Sequence, residues 1–369
     1  MRILILSCNT GEGHNSAAKA LQDCFLKQQT ACEIQDALAF WSPNKSKIIS
    51  HGHVFIYRNL PRLFGVSYRF EENHMKEGGE GLIYDLVIKG CDALHAFLQA
   101  GRYDAVVCTH IFPAMMLTEL KKRGIFSTKS YLVATDYTCS PGVNQTLADY
   151  YFLPHAKLAD EFVQNGIPRE KLIASGIPIR EIFYSKTDPS RAKRSLSLPQ
   201  DKNIVLLMCG SMGCGPMEKL AALLPKALPA DAMLVVICGN NRRLYKSLTK
   251  NPLPANMRVV GYTNRMPLYM DAACLLLTKP GGLSTTEAAA KALPMVFIDA
   301  VPGCETRNLE FFTANGFADA SADLSVLCGT VCAYLSNPEA LAARSALLQK
   351  DFAGSAAARI CEQVLQDIS

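Results

Sequence analysis

The segment Lys279–Glu287 has residue types that can hold a diphosphate without a metal ion. It reads Lys-Pro-Gly-Gly-Leu-Ser-Thr-Thr-Glu and directly follows Cys274–Leu277, an apolar run of strand length. The proline and the two glycines, Gly281 and Gly282, predict a bend, and a helix is predicted over Thr286–Ala292. The first amides of a helix are free donors and carry a partial positive charge, so this turn suits a pyrophosphate.

Three side chains in the same segment could extend such a site. Ser284 and Thr285 would add hydroxyl donors, and Glu287 lies where a carboxylate could accept both ribose hydroxyls. The alternative is an ordinary capped helix, with Ser284 as the N-cap and Glu287 completing a capping box.

Two further loops in the same half of the chain follow predicted strands and precede predicted helices. Met208–Pro216 is rich in glycine and includes Gly210, Ser211 and Gly213, and Asp299–Asn308 is small and polar. Together the three loops fit a nucleotide-diphosphate-sugar site in which amides and hydroxyls meet the charge. No Asp-x-Asp pair occurs in the chain, so the sequence offers no divalent-metal clamp and we expect no metal and no cofactor beyond the sugar nucleotide.

The first loop, Ser7–Ser16, contains Gly11, Gly13 and His14 and precedes the helix Ala17–Leu21, with Asn15 or Ser16 as a candidate cap. It lacks the full Gly-x-Gly-x-x-Gly pattern, so a dinucleotide site is a weak interpretation. His14 would stand at the mouth of a cleft, where an imidazole can exchange protons near neutral pH. The alternative is a histidine that only caps the helix or is hydrogen-bonded locally.

Short apolar runs that alternate with helical patterns indicate an α/β protein with parallel sheets covered by helices. The 369 residues suit two doubly wound, Rossmann-like domains of about 150–200 residues each, facing a shared cleft. We expect an N-terminal domain over 1–185, a linker over 186–202, a C-terminal domain over 203–352 and a final helix over 353–369 that packs back on the first domain. The predicted strands are Arg2–Ser7, Ala105–Thr109, Ser130–Ala134, Tyr150–Leu153, Asn203–Met208, Met233–Ile237, Met257–Val260, Cys274–Leu277 and Met295–Ile298.

Composition excludes several classes of protein. Hydrophobic residues make up 49% of the chain and charged residues 19%, which is far from a disordered composition. A net charge of +5 does not indicate a nucleic-acid partner. No apolar run approaches the ~20 residues of a membrane-spanning helix, and no secretory signal is present, so we expect a cytoplasmic protein. The fourteen cysteines include no Cys-x-x-Cys pair and suit a reducing compartment.

With these residues identified, the chain resembles the monogalactosyldiacylglycerol-synthase and processive diacylglycerol glucosyltransferase family, which has the GT-B fold and is similar to family 28 glycosyltransferases. The resemblance runs from the first loop to at least residue 320. The matching segments, in chain order, are Gly11–His14, Thr135–Asp136, Gly176–Pro178, Gly210–Gly215, Cys238–Asn241 (with Gly239 and Asn240), Lys279–Glu287 and Gly303–Asn308 (with Glu305 and Asn308). Glu12 stands where the family has glycine, and Cys304 stands where it has a glutamine that touches the donor sugar.

The resemblance implies an inverting transfer of a hexose from UDP-glucose or UDP-galactose to diacylglycerol or a glycosyl-diacylglycerol. A base takes the proton from the acceptor hydroxyl as that hydroxyl attacks the sugar and UDP leaves. Asp136 and His14 are the candidates, with Asp136 slightly favoured and His14 as the acceptor-site residue or alternative base. The alternative for Asp136 is a capping or turn aspartate.

The segment 40–70 has a composition that suits a membrane surface. It combines basic residues, among them Lys45, Lys47, Arg58 and Arg62, with Trp41 and other large apolar side chains, and it holds no acidic residue. Each cation near anionic lipid contributes about 1 kcal/mol, which is enough for reversible docking. With a lipid acceptor, we expect peripheral binding to the inner face of the cell membrane. The alternative is a helix packed in the first domain with its basic face in solvent.

Three rival functions stay open at this point. A transferase of the same fold could act on a polyprenyl-linked acceptor, and a UDP-sugar epimerase would share the two-domain architecture. A protein that binds UDP-sugar without turnover would fit the departures at Glu12 and Cys304.

Overall fold

Parallel strands alternate with helices throughout the part of the chain that the computed structural model describes, residues 1–9, 12–41 and 84–369. By their internal contacts the residues form two units. The first comprises Met1–Arg180, Val301–Arg307 and Ser355–Ser369, and the second comprises Glu181–Ala300 and Asn308–Gly354.

The sheet of the first unit has the strand order β2-β1-β3-β4-β5-β6, with every pairing parallel. Its strands are β1 (Arg2–Ser7), β2 (Ala31–Asp36), β3 (Ala105–Cys108), β4 (Lys129–Val133), β5 (Tyr150–Leu153) and β6 (Leu172–Ala174). The helices are α1 (Glu12–Lys27), α2 (Tyr84–Val87), α3 (Cys91–Gly101), α4 (Ile111–Lys122), α5 (Ala159–Gln164) and, at the end of the chain, α14 (Ala356–Asp367).

The core of the first unit includes the C-terminal helix. Ile360, Cys361 and Val364 of α14 are fully buried in one cluster with side chains of α1 and the central strands. The Tyr131 hydroxyl of β4 donates to the Asp367 carboxylate over 2.7 Å, and burial together with that carboxylate raises the pKa of the tyrosine. Helix α14 therefore packs in the core of the first unit, together with α1 and the central strands.

The sheet of the second unit has the order β12-β11-β10-β7-β8-β9, again parallel throughout. Its strands are β7 (Asn203–Met208), β8 (Ala232–Ile237), β9 (Met257–Val260), β10 (Leu275–Thr278), β11 (Met295–Phe297) and β12 (Ala318–Ala320). The helices from residue 189 to residue 351 are α6 (Pro189–Ser195), α7 (Met217–Ala227), α8 (Arg242–Leu248), α9 (Met266–Ala272), α10 (Gly282–Ala290), α11 (Cys304–Ala314), α12 (Leu324–Leu335) and α13 (Pro338–Asp351).

The nine strands predicted from apolar runs are all present, with ends that differ by at most one residue. Three strands were missed, namely β2, β6 and β12, and each lies at an edge of its sheet. An edge strand is only partly covered, so its sequence lacks the unbroken apolar run of a central parallel strand. The residues of β2, for example, are exposed or half-buried throughout.

Two helix starts also differ from the prediction. Helix α1 begins at Glu12, so Asn15 lies inside it rather than capping it, and accepts a hydrogen bond from the Ser7 hydroxyl over 2.8 Å. Helix α10 begins at Gly282 rather than Thr286, with Gly281 as its N-cap. Ser284 is therefore the third residue of the helix, and the interpretation of Ser284 as a cap is wrong.

Candidate active site

Each sheet has one topological switch point, where neighbouring strands lead off in opposite directions. In the first unit it lies between β1 and β3, and in the second it lies between β7 and β10. Ligands of doubly wound sheets bind outside the carboxyl ends of the strands at such points. The segments that follow these four strands contain His14 in the first turn of α1, Thr109 after β3, the glycine loop Gly210–Gly215 after β7, and Lys279–Glu287, which leads into α10.

At the first switch point the backbone fixes the tautomer of His14. The ring nitrogen Nδ1 lies 2.9 Å from the carbonyl oxygen of Thr109, just after β3, and 2.9 Å from the hydroxyl oxygen of Thr135, just after β4. A carbonyl oxygen can only accept a hydrogen bond, so Nδ1 must carry the hydrogen. In a neutral imidazole the lone pair is then on Nε2, which is the nitrogen able to take a proton.

A second histidine, His110, lies against the first and was missed by the sequence analysis. Its ring packs edge-on to that of His14, with centroids 4.5 Å apart. His110 is the N-cap of α4, and its Nδ1 accepts a hydrogen bond from the Phe112 amide over 3.1 Å. A neutral His110 therefore carries its hydrogen on Nε2, the opposite tautomer to His14. His110 comes directly after a central strand and before a helix, and this position in the sequence could have identified it as a site residue.

Asp136 follows Thr135 and so lies next to the residue that contacts His14. Its backbone carbonyl accepts a hydrogen bond from the Thr138 amide over 2.8 Å, which makes a tight turn, and its side chain is half-buried. The sequence thus correctly placed Asp136 and His14 at the carboxyl ends of strands of one sheet. The assignment of the base to either of them stays a prediction.

The structure also describes Asn9 and Gly13 of the first loop. Gly13 is the second residue of α1, and Asn9 donates through its side chain to Asp36, the last residue of β2, over 2.9 Å. Gly11 lies outside the described residues. The acceptor-site roles predicted for both glycines stay predictions.

At the second switch point the first turn of α10 follows β10 through a bend at Pro280. The first bond of the helix runs from the Thr285 amide to the Gly281 carbonyl over 3.0 Å. The amides of Gly282, Leu283 and Ser284 precede that bond, as the first amides of a helix do, and form the end that favours an anion. The early start of α10 therefore places the free amides at Gly282, Leu283 and Ser284, before the predicted helix start at Thr286.

The hydroxyl of Thr285 has a different place from the one predicted. It donates to the carbonyl oxygens of Gly281 and Gly282 over 2.9 and 3.1 Å, and the residue is fully buried. Thr285 thus serves the helix itself, and this geometry does not favour its predicted contact with a donor. Ser284 and Glu287 are half-buried, and their predicted roles stay open.

The loops after β7 and β8 interlock through two glycines. A Cβ at Gly213 would lie 2.4 Å from the Cys238 carbonyl oxygen, and a Cβ at Gly239 would lie 2.4 Å from the Ser211 carbonyl oxygen. The φ angles are +54° and +56°, a left-handed conformation that favours glycine. The Asn240 amide donates to the Ser211 carbonyl over 2.8 Å, so the two loops form one rigid layer of backbone.

A buried lysine lies next to the glycine loop that follows β7. Lys279, the first residue after β10, is 7% exposed, and its side chain approaches the position of a Cβ on Gly215 to 3.6 Å. The Asp299 carboxylate, after β11, lies 4.0 Å from the same point. Lys279 belongs to the motif Lys279–Glu287, in which no role was predicted for it. Its burial next to the glycine loop makes it a candidate cation for this site.

The predicted third loop, Asp299–Asn308, becomes helical at Cys304, and two of its polar residues bond backbone groups from the start of α11. Asn308 is fully buried and donates to the Pro280 carbonyl over 2.9 Å, which fixes the bend before α10. Glu305 accepts a hydrogen bond from the Val301 amide over 2.7 Å at the start of α11. Both contacts shape loops, and the predicted contacts with the donor stay predictions.

Two thiols, Cys139 after β4 and Cys238 after β8, are protonated near neutral pH. Burial and, to a lesser degree, Glu161 raise the pKa of Cys139 to about 12, and burial raises the pKa of Cys238 to about 11. Neither is a thiolate nucleophile near neutral pH. Within residues 1–9, 12–41 and 84–369, no group of three or more His, Cys, Asp or Glu side chains could hold a metal ion.

Of the predicted membrane segment 40–70, only residues 40 and 41 lie within the described residues. Trp41 is half-buried at the end of a 3-10 helix, Ala37–Phe40, with its amide against the Leu38 carbonyl. The other four residues named there, Lys45, Lys47, Arg58 and Arg62, lie outside the described residues. In the part of the chain that is described, no helix is long and apolar enough to cross a bilayer.

Comparison with known proteins shows similarity to one family of glycosyltransferases. The family model "Monogalactosyldiacylglycerol (MGDG) synthase" matches residues 14–179, and "Glycosyltransferase family 28 C-terminal domain" matches residues 204–316. The "Processive diacylglycerol beta-glucosyltransferase" of Bacillus thuringiensis (strain Al Hakam) is 28% identical over 99% of this chain and 94% of its own length. The chain is a glycosyltransferase that is similar to this family along nearly its whole length.

Solved structures confirm the GT-B fold of this glycosyltransferase. MurG of Acinetobacter baumannii superposes with a TM-score of 0.66, at 13% identity, over 99% of each chain. A UDP-GlcNAc 2-epimerase from Neisseria meningitidis, bound to UDP-GlcNAc, superposes with a TM-score of 0.61, at 10% identity, over 100% of each chain. The fold is therefore shared by transferases and epimerases, and the family match separates them.

Proposed function

We propose that this glycosyltransferase transfers a hexose from UDP-glucose or UDP-galactose to diacylglycerol, or to a glycosyl-diacylglycerol, with inversion and without a metal ion. The observation that carries the proposal is the second switch point, where the first amides of α10 follow the buried Lys279, whose side chain lies next to the glycine loop Gly210–Gly215. Backbone amides at a helix N-terminus are suited to a diphosphate. The relative's name supports diacylglycerol as the acceptor and glucose as one donor sugar.

The donor is held by the second unit in this proposal. The amides of Gly282–Ser284 and the hydroxyl of Ser284 bind the pyrophosphate, and Lys279 adds a positive charge beside the glycine loop. Gly210, Ser211, Gly213, Gly239 and Asn240 form the wall of the site. Glu287 accepts the ribose hydroxyls, while Asn308 holds the bend before α10. Stabilising the leaving diphosphate lowers the barrier because its negative charge grows as the bond to the sugar breaks.

The proton is taken by a residue of the first unit. The acceptor oxygen forms a bond to the anomeric carbon, the bond from that carbon to the phosphate oxygen breaks, and the electron pair leaves with UDP. The hydroxyl proton goes to the base. The hydrogen-bond network supports His14 Nε2 over Asp136, because the Thr109 carbonyl and Thr135 hold the ring in the tautomer with a basic Nε2.

The acceptor places the reaction at a membrane surface. Diacylglycerol resides in the bilayer, so the enzyme must bind there, and the basic segment 40–70 supports peripheral binding at the inner face of the cell membrane. The polyprenyl-linked acceptor is less well supported, because the relative carries the name of a diacylglycerol enzyme.

The experiment is a transfer assay. The protein is incubated with diacylglycerol vesicles and UDP-glucose or UDP-galactose, with EDTA present, and glycolipid and UDP are measured together. We expect equal amounts of both products, and NMR coupling that shows a β-linkage from the α-linked donor. UDP without glycolipid, or epimerised donor, would refute the proposal.

Three variants test the assigned roles. His14→Ala should lower kcat by about a hundredfold or more at unchanged UDP affinity, and Asp136→Ala should lower it less. A larger loss in Asp136→Ala would contradict the assignment of the base. Glu287→Ala should weaken UDP binding strongly, whereas 2′,3′-dideoxy-UDP, which lacks both ribose hydroxyls, should bind equally weakly to both proteins. An equal loss for both ligands would show that Glu287 acts on the fold rather than on the ribose.

A further inference from the structure

The chain from residue 232 to residue 270 contains no aspartate or glutamate. In the same stretch lie six cations, namely Arg242, Arg243, Lys246, Lys250, Arg258 and Arg265. The function proposed above assigns no role to this cationic segment of the second unit. It covers β8, α8, β9 and the loop before α9.

The structure divides these cations into two groups. Arg258 and Arg265 donate to backbone carbonyls at the end of α6 and just beyond it, those of Ser195, Leu196 and Ser197. The other four are exposed, and none of them takes part in an ion pair within the described residues. Leu244 anchors α8 in the core, so its cationic side faces solvent.

Neighbouring elements do not neutralise this charge. Helix α7 packs beside α8 and carries one acidic residue, Glu218, together with Lys219 and Lys226. Asp271, in α9, is buried in an ion pair with Lys291 over 2.8 Å. The surface around α8 is therefore net positive.

Aromatic side chains stand among the cations. Tyr245 of α8 is 40% exposed, and Tyr262, in the loop after β9, is 72% exposed. The Tyr245 ring approaches the position of a Cβ on Gly261 to 3.7 Å, so the helix and that loop form one continuous surface. We call Arg242, Arg243, Lys246, Lys250, Tyr245 and Tyr262 the α8 face.

We propose that the α8 face docks on a bilayer that contains anionic phospholipid. The inference rests on the proposed function, because an enzyme with a lipid acceptor must meet a bilayer. Exposed cations are attracted to the negative surface of such a bilayer, and tyrosine suits the headgroup region because its ring is apolar and its hydroxyl polar. This contact is separate from the segment 40–70, which belongs to the first unit.

The α8 face is tied to the donor loops. Asn241, the N-cap of α8, accepts a hydrogen bond from the Leu244 amide over 2.9 Å and donates to the Gly213 carbonyl over 2.9 Å. One side chain thus joins the start of the cationic helix to the glycine loop. Docking of α8 holds the glycine loop at a fixed place near the lipid surface.

The experiment compares two full-length variants with the unchanged protein. In one, Arg242, Arg243, Lys246 and Lys250 are all replaced by glutamine. In the matched control, each arginine becomes lysine and each lysine becomes arginine, so charge is kept. Sedimentation is measured with vesicles of phosphatidylcholine alone and with added phosphatidylglycerol, without donor or acceptor.

The glutamine variant should lose at least about tenfold in partitioning to phosphatidylglycerol vesicles, and the control should retain it. Binding to phosphatidylcholine alone and UDP affinity by calorimetry should be unchanged in both. Unchanged partitioning of the glutamine variant overturns the proposal, as does an equal loss on both kinds of vesicle. A loss confined to binding of an RNA or DNA oligonucleotide also overturns it and assigns the face to nucleic acid.

The test does not depend on turnover. If the unchanged protein transfers no sugar but the vesicle results are as expected, the proposed function fails and the docking surface stands. If transfer to a water-dispersed short-chain diacylglycerol occurs normally in the glutamine variant while partitioning is unchanged, the docking surface fails and the function stands.

Discussion

Replacing Gly213 by alanine should weaken donor binding by more than the accompanying loss of folding stability would cause. The new Cβ would lie 2.4 Å from the Cys238 carbonyl oxygen and 3.1 Å from the Asn241 Cβ. Real Cβ contacts are essentially never under 3.0 Å, so one loop must move by at least about 0.6 Å. The left-handed backbone, with a φ of +54°, adds about 1–2 kcal/mol for a residue with a side chain.

The displaced loop would no longer match the donor. We expect UDP affinity, measured by titration calorimetry, to fall by at least about tenfold, which is ~1.4 kcal/mol. Gly239→Ala approaches the same contact from the other loop, since its Cβ would lie 2.4 Å from the Ser211 carbonyl oxygen, and should give a similar loss.

Gly124→Ala is the matched control. Its φ is +69°, but nothing lies within 4 Å of the added Cβ. It should therefore lower the free energy of unfolding by the conformational cost alone and leave UDP affinity unchanged. If Gly213→Ala and Gly239→Ala bind UDP like the unchanged protein, the interlocked loops are not part of the donor site.

Thr135→Val should lower kcat about fivefold at unchanged UDP affinity, because His14 loses one neutral hydrogen-bond partner worth about 1 kcal/mol; an unchanged kcat would refute this positioning role. Asp149→Asn should destabilise the protein by about 1–2 kcal/mol at pH 7, because burial raises the pKa of Asp149 but hydrogen bonds, led by that of Lys121, hold it below its usual value. That stability is present above the unfolded pKa and is lost as pH falls, so urea unfolding should show the difference shrinking below about pH 4. Cys238, whose pKa burial raises to about 11, should resist iodoacetamide at pH 8 until the protein is unfolded, as mass spectrometry would show.

The central strands were predictable because both faces of each are covered. The residues of β8, for instance, are buried throughout, and such a strand has an apolar run that can be recognised without a partner. The edge strands β2 and β12 mix apolar and polar residues, and β6 is apolar but only three residues long, so none of them has a recognisable apolar run. Their place in the sheet follows from pairing with a neighbour, which no local pattern records.

The start of α10 was misplaced for a related reason. Gly282, Thr285 and Thr286 have low helix propensity, so the sequence favoured a loop there. In the structure all three are buried, and both threonine hydroxyls donate to the Gly282 carbonyl. Tertiary packing of small residues outweighs their propensity, and the result is a helix whose first amides lie nearer to the bend.

The site was partly predictable from strand order. Residues that follow central parallel strands gather at one edge of a sheet, and this placed His14 and Asp136 in the same region. The tautomer of His14 and the contact with His110 could not be predicted, because Thr109 and Thr135 lie 95 and 121 residues away from His14 in the chain. Only the register of β1, β3 and β4 brings these groups together.

The most direct test is a structure of the protein with an intact UDP-hexose, solved in the presence of EDTA. The account predicts that the diphosphate lies against the first amides of α10, those of Gly282, Leu283 and Ser284, with the interlocked glycine loops on its other side. A sugar nucleotide bound elsewhere, with this surface empty, would contradict it.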